Sequence, residues 1–531
     1  MEPTTHVSLD TIPQEILSEI ALFTSADDFL GPPTALLPLI SLTRWTHSCL
    51  SFSSNPYIYS KIYQAKFDVS PAYRRLGVDS FATTVLAREL KRKCIMLRRI
   101  RDGRGSHVDD PCFETEIELQ GFLVQIYLTV VENEGNNQRQ LCEYAHIDEW
   151  LKSFWLDERG ASGSWQAIQR EIWPSHNAVT CLAMWLYWFL LKPEQFKIDD
   201  PYTRRALDTL KVYALGAHWY PLVTPSWTEF FPSPSTDGAP LTMYGSSIGL
   251  KAPALSIPAI LSFISLLSHL YGRTEYPMPL VPSQASPPQS TLLNTFGNEW
   301  ELEWGRSTNL GTRKISVDKE LSDVFRPGSI EGVWEGMFTY TEFTSYAALL
   351  SGAPPHFLQN ILVAQHKQTW KLREHHLLSP CGTEHLPEPV AAGNALHAYF
   401  PLGTHIEETV QGLKITEPTV GKKPSLYQRP KKDQPTTNDD DETLRQRVLD
   451  IIITGEGHSS WGEFRLIGRV RPRDGFISLS KDYINGDRGK WLYRGYLVGN
   501  LNSNLAGRWR DTMSPPSVPG YEGCFTMTRR C

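Results

Sequence analysis

Along this 531-residue chain the spacing of apolar residues changes its period, and that change constrains the fold more than any other feature. From about Phe81 to Gly272 the spacing is mostly helical, broken by a Pro/Ser/Thr-rich interruption over residues 221–258. From Gly332 the period is two: Gly332, Trp334, Gly336, Phe338 and Tyr340 alternate with Val333, Glu335, Met337 and Thr339. Residues 461–470, 476–479, 491–498 and 505–510 follow the same rule. Between the last two runs, residues 499–504 (GNLNSN) supply turn-competent side chains, which predicts an antiparallel hairpin. Pro277, Pro279, Pro282, Pro287 and Pro288 separate the two regimes, because a run of prolines cannot continue a helix and favours an extended connector. Helices segregated from strands imply an α+β, multidomain protein.

The 41% hydrophobic and 11% aromatic content supports sizeable cores. The strongest apolar runs, residues 178–191 and 257–270, are shorter than the roughly 20 residues needed to cross a bilayer, so they are expected to be buried helices. The first residues lack the basic start and apolar run of a secretory signal. Eight cysteines are scattered without paired spacing, and no Asn-x-Ser/Thr acceptor with a permissible middle residue occurs. Reduced thiols in the cytoplasm or nucleus are the simplest account, with no membrane partner.

Formal net charge is −6, which gives no overall attraction to nucleic acid. Residues 61–104 hold 12 Lys/Arg against 4 Asp/Glu, while residues 109–158 hold 12 Asp/Glu against Arg139 and Lys152. Neighbouring helices of opposite charge explain both blocks. Leu86, Leu90, Cys94 and Leu97 give the basic helix an apolar stripe whose burial accounts for it without a nucleic-acid ligand. Residues 416–442, rich in charge and proline and poor in apolar side chains, read as a disordered surface insertion.

At the N-terminus, Thr11 and Gln14 have capping-box spacing, Pro13 suits a first helical turn, and Ile12, Ile16, Leu17 and Ile20 recur on one helical face. Two short apolar clusters follow, residues 36–42 and 57–63, with Asn55-Pro56 as a breaker between them. Leu9, Ile12-Pro13, Glu15, Ile16-Leu17 and Pro56-Tyr57 together resemble the three-helix F-box, the docking module of SCF-type ubiquitin ligases, with a longer loop than usual over residues 26–34. The resemblance implies that Leu9, Ile12, Pro13, Ile16, Leu17, Ile20, Leu39, Leu42, Tyr57 and Ile58 bind a Skp-type adaptor and, through it, a cullin.

A second resemblance lies in the strand-rich region. Gly332-Val-Trp-Glu-Gly336, residues 461–469, residues 487–495 and Gly507-Arg-Trp-Arg-Asp511 are similar to the C-terminal domain of F-box proteins related to the cyclin-D-binding receptor. It implies a lipocalin-like antiparallel β-barrel that receives a protein substrate, and closure suits these strands because it removes exposed edges. The expected organisation is an F-box over residues 1–70, a helical spacer over 71–275, a connector over 276–294 and the barrel domain over 295–531.

Arg469, Trp491, Arg494, Arg508 and Trp509 form an arginine–aromatic set suited to a peptide, since rings supply apolar contact and guanidinium groups bind carboxylates or carbonyls. Strand parity puts Trp491 and Arg494 on opposite faces, so one of them is structural. Trp334 is expected to plug the barrel base under Arg508 or Arg510. No phosphate loop, dinucleotide fingerprint, nucleophile elbow or zinc-protease helix occurs, and no catalytic residue, cofactor or metal is expected. His375, His376, Cys381 and His385 come nearest to a metal set, but Pro380 and Gly382 mark that stretch as a loop. The chain reads as a non-catalytic substrate receptor of an SCF-type ligase. The alternatives are a lipocalin-like small-molecule binder or an F-box scaffold outside ubiquitination.

Overall fold

The computed structural model describes residues 12–77, 82–110, 115–224, 226–233, 239–272, 279, 300–311, 321–361, 363–379, 387–430, 447–486, 488–499 and 504–530. They divide into two compact units. The first runs to Ser162 and includes Pro240–Ile248, and the second holds Gly163–Ala239 and the barrel. The helical stretch expected as one spacer is therefore split at Ser162, and most of the expected connector lies outside the described residues.

The first unit opens with α1 (Gln14–Asp27), α2 (Leu36–Ser41), α3 (Arg44–Leu50) and α4 (Pro56–Lys66), four helices where three were expected. Pro13 sits at the N-cap of α1 rather than in its first turn, and Thr11 lies outside the described residues. Thr43 closes a capping box with Thr46 at the start of α3. Asn55 caps α4 by accepting from the Ile58 amide, and Pro56 occupies the first turn, where its missing N–H costs nothing. The long loop after α1 is fixed by buried polar groups. Lys66 donates to the carbonyls of Asp28, Phe29 and Gly31, and Gln140 donates to Phe29 O while accepting from the Gly31 amide.

After α5 (Ser70–Leu76), the basic helix α6 (Thr83–Arg101) packs against α7 (Glu116–Val131). Leu86, Leu90 and Leu97 are buried as the stripe predicted. Opposite charge meets in the interior, where Lys93 Nζ lies 2.9 Å from Glu132 Oε2. Tyr244 Oη bonds to the same carboxylate at 3.3 Å and to Tyr63 Oη at 2.6 Å.

The core of the second unit is a closed eight-stranded antiparallel barrel: β1 (Gly332–Thr341), β2 (Val363–Leu378), β3 (Val448–Ser459), β4 (Gly462–Val470), β5 (Ile477–Tyr483), β6 (Lys490–Val498), β7 (Asn504–Asp511) and β8 (Glu522–Arg529). Each strand pairs with its sequence neighbours and β8 closes on β1, so the topology is up-and-down. The predicted hairpin is the β6–β7 pair. The expectation of an α+β fold with a C-terminal antiparallel barrel holds. The first barrel strand, however, begins at Gly332, after a helix over Glu301–Gly311.

Inward residues follow parity: Trp334 and Phe338 of β1, Trp370 and Leu372 of β2, Leu479 of β5, Tyr493 of β6 and Trp509 of β7 share one core. Gly495 and Gly507 face each other across β6 and β7, and a Cβ on either would come within 2.0 Å of the neighbouring strand's backbone. Only glycine permits that approach. At one end Leu321, Val324, Phe325 and Ile330 join the core, and the Glu374 carboxylate accepts from the Gly328 and Ile330 amides.

Residues 374–378 are not a loop, because β2 continues through them to Leu378. Residues 416–430 are not disordered. Thr416 ends one strand and Ser425–Tyr427 forms another in a three-stranded sheet with His405–Thr409 and Gly412–Thr416. Tyr427 is fully buried beside Leu413 and Ile415, so a few inward side chains anchor a segment whose average composition is polar. Residues 431–442 lie outside the described set.

Candidate functional site at the aromatic end of the barrel

The arginines expected to contact a substrate are on the outer face of the barrel, buried under segments that clad it. Arg469 donates to Val390 O, Ala391 O and Tyr399 O, meets Asp450 Oδ2 at 2.7 Å, and stacks 4.1 Å from the centre of Phe230. Arg508 donates to the carbonyls of Tyr213, Ala214 and Tyr220. Arg494 pairs with Glu522 at 2.9 Å and lies 4.1 Å from the ring centre of Trp227. Arg471, which the sequence reading passed over, holds Asp474 through two bonds of 2.8 and 2.6 Å and donates to Ser226 O and Glu229 O. Burial pushes the Asp474 carboxyl up, but the Arg471 charge and bonds outweigh it and hold the group below the usual carboxylate range. Arg469 and Arg471 each hold a buried acid and backbone carbonyls, Arg508 holds carbonyls, and Arg494 holds an acid.

Trp491 and Trp509 face inward with rings 5.2 Å apart, and Arg494 faces out, as parity required. The set therefore splits into an outer arginine half and an inner aromatic half and forms no single pocket. Trp334 is fully buried near the base loop, donating to Ile330 O, but Arg508 and Arg510 do not stack on it. Arg510 instead donates to the carbonyls of Ser514, Pro515 and Val518.

The end of the barrel opposite Leu321 and Phe325 is lined by rings. Trp461 lies 5.0 Å from Phe338, 5.9 Å from Tyr340 and 5.3 Å from His366. Tyr521 lies 5.3 Å from Trp509 and 6.0 Å from Tyr340. Tyr340, His366, Trp461, Trp491 and Tyr521 are half-buried, so this end offers an apolar, polarisable surface to solvent.

Beneath it sits Lys481, 1% exposed, on the inward face of β5 with Ile477, Leu479 and Tyr483. Its Nζ is 3.8 Å from the centre of Phe464 and within 5.5 Å of the rings of Phe338, Tyr483 and Tyr493. Its hydrogen-bonding neighbour is Tyr493 Oη at 3.5 Å. Burial alone pushes its ammonium down to about 7, with no carboxylate to offset it. Across the barrel, Tyr493 Oη meets Gln368 Oε1 at 3.4 Å. Among the described residues, Gln368 Nε2 and Trp370 Nε1 are buried without a partner. Sequence reasoning missed this lysine because it ended the β5 pattern at Leu479. The signal was the continued parity of Ile477, Leu479, Lys481 and Tyr483.

The residues of the first unit expected to bind an adaptor fall into two groups. Leu17 and Ile58 are buried in that unit's own core and face no partner. Ile16, Ile20, Leu42 and Tyr57 are exposed, as are Phe23, Leu37 and Trp45, which the sequence reading did not name. Ile12 and Leu39 are half-buried and Pro13 is exposed, while Leu9 lies outside the described residues.

His375 Nε2 lies 2.9 Å from Thr454 Oγ1, and His376 Nε2 donates to Glu374 Oε2 at 2.7 Å. Cys381 and His385 lie outside the described residues, and among those described no three His, Cys, Asp or Glu side chains gather as metal ligands. No helix among them is long and apolar enough to cross a membrane. The chain matches no protein-family model, no curated protein and no solved structure.

Proposed function

We propose that this protein is the substrate-recognition subunit of an SCF-type ubiquitin ligase. Its N-terminal helices dock a Skp-type adaptor and, through it, a cullin, and its barrel unit captures a protein substrate. The observation that carries the reading is the exposure of Ile16, Ile20, Phe23, Leu37, Leu42, Trp45 and Tyr57 on α1 to α4. Large apolar side chains gathered on one short stretch and left in water mark a protein-binding surface, and the same stretch carries the F-box-like residue pattern. The chain supplies no chemistry of its own. It raises the effective concentration of substrate near a recruited conjugating enzyme.

The test is affinity capture of the full chain followed by mass spectrometry. Recovery of a Skp-type adaptor and a cullin is expected, and Ile16→Asp with Ile20→Asp abolishes it without unfolding the chain, because each carboxylate is desolvated on docking. Leu17 is unsuitable for this test, since it is buried in the protein's own core. A folded double variant that still captures the adaptor overturns the reading.

A further inference from the structure

The interior of the barrel carries a surplus of hydrogen-bond donors. Lys481 Nζ, Gln368 Nε2 and Trp370 Nε1 are all at least nine-tenths buried. The two nitrogens of Gln368 and Trp370 have no partner among the described residues, and the lysine reaches only the hydroxyl of Tyr493. Tyr493 ties the three together: its hydroxyl meets Lys481 and Gln368, and its ring centre lies 5.1 Å from that of Trp370. Buried donors without acceptors carry the full desolvation penalty. Among the described residues, single unpaired nitrogens are buried elsewhere too, Arg469 Nε and Arg494 Nε among them, but inside the barrel two of them lie around a hydroxyl that also meets a buried ammonium. A group that removes the surplus must bring acceptors and negative charge, and a carboxylate brings both. Above the lysine, half-buried Trp461, His366 and Tyr340 provide the rings against which an aromatic body stacks.

We propose that the aromatic end of the barrel is a binding site for a small aromatic carboxylic acid, its carboxylate seated among Lys481, Tyr493, Gln368 and Trp370 and its ring against Trp461 and His366. The donors come from β2, β5 and β6, so the site exists only once the barrel has closed. The acid group exchanges water for a cation and neutral donors. The side chains that give way on access are the half-buried ones at the rim. This site is independent of the partner taken by the N-terminal helices.

The experiment uses the full chain and two probes, indole-3-acetate and its neutral amide indole-3-acetamide, followed by calorimetric titration. The acid binds at least about tenfold more tightly than the amide, because a hydrogen bond to a charged group is worth about 1.5–3 kcal/mol. Lys481→Met, folded by circular dichroism, removes that difference and binds both probes alike. Equal binding of acid and amide to the unaltered protein overturns the proposal, and so does failure of the acid to bind. Because both of those readings come from the unaltered protein, the proposal remains exposed even if the variant misfolds. Retention of acid-selective binding by Lys481→Met also overturns it. Adaptor capture by Lys481→Met, unchanged from the parent chain, separates this result from the ligase reading.

Discussion

The two faces of the barrel wall bury cations in opposite ways. Outside, Arg469 and Arg471 each meet a buried carboxylate and two or more backbone carbonyls, and Arg508 meets three carbonyls. Inside, Lys481 meets four rings and one hydroxyl. A guanidinium spreads its charge over a planar fork of donors and suits the riveting of irregular segments to a sheet, whereas an ammonium is a compact, strongly hydrated charge that loses its proton when stripped of water. The outer cations are therefore structural. The inner one is a cost to the fold, and such local costs concentrate at functional sites.

The largest expected effect tests the structural half. Arg469→Ala strips the Asp450 carboxylate of its cation and frees three backbone carbonyls. Breaking a buried pair from one side costs about 3–5 kcal/mol. A denaturant midpoint for the barrel unit that hardly moves would mean the clamp contributes nothing and the two faces do not differ.

The inner lysine predicts the opposite sign. Its folded pKa of about 7 lies below its ordinary value of 10.5. Between those values the unfolded chain binds more protons, so stability rises with pH across that window, while below it the full cost of the buried charge is present. Lys481→Met should therefore stabilise the protein by roughly 2–4 kcal/mol at pH 6, with the gain fading as pH approaches the upper value. Thermal melts at pH 6 and pH 9 measure this. A variant less stable than its parent at pH 6 would show that the lysine's ring contacts outweigh its desolvation.

Tyr427→Phe is a smaller change in the cladding. The hydroxyl accepts from the Val390 amide at 3.1 Å and donates to Asp450 Oδ2 at 2.7 Å. Its loss removes the partner of the Val390 amide and one of two bonds to Asp450 Oδ2, which keeps Arg469, and should cost about 1–3 kcal/mol. This residue also shows where sequence reading fails. Mean composition marked residues 416–442 as disordered, yet the burial of Tyr427 ties the start of that stretch to the barrel. Similarly, parity correctly put Trp491 and Arg494 on opposite faces, but nothing in a strand's own alternation says that its outer face is covered. The covering segments, residues 220–224 and 226–232, have no period to read, because they are held by donors from Arg471, Arg473 and Arg508 rather than by a pattern of their own. Lys481 was legible in principle, since a lysine continuing the apolar parity of Leu479 and Tyr483 must either be buried or end the strand.

The smallest expected effect belongs to the first unit, where the contrast is between neighbours on one helix. Ile16 is 53% exposed and Leu17 is 1% exposed, although both fit the same apolar pattern in sequence. Helical spacing places a residue on a face but does not say whether that face meets the chain's own core or water. Leu17 belongs to the fold, whereas Ile16 and Ile20 are exposed and, on the proposed function, form part of the docking surface. Ile16→Ser should therefore change the melting temperature of the isolated protein little, within about 0.5 kcal/mol in stability, whereas Leu17→Ser should lower it clearly. On the proposed function, adding a Skp-type adaptor changes the order of importance. A partner that buries Ile16 stabilises the native state by mass action, so the parent chain gains melting temperature with adaptor concentration while Ile16→Ser gains less. If Ile16→Ser destabilises the protein alone as much as Leu17→Ser does, then the exposed row on α1 is covered by the chain itself and does not await a partner.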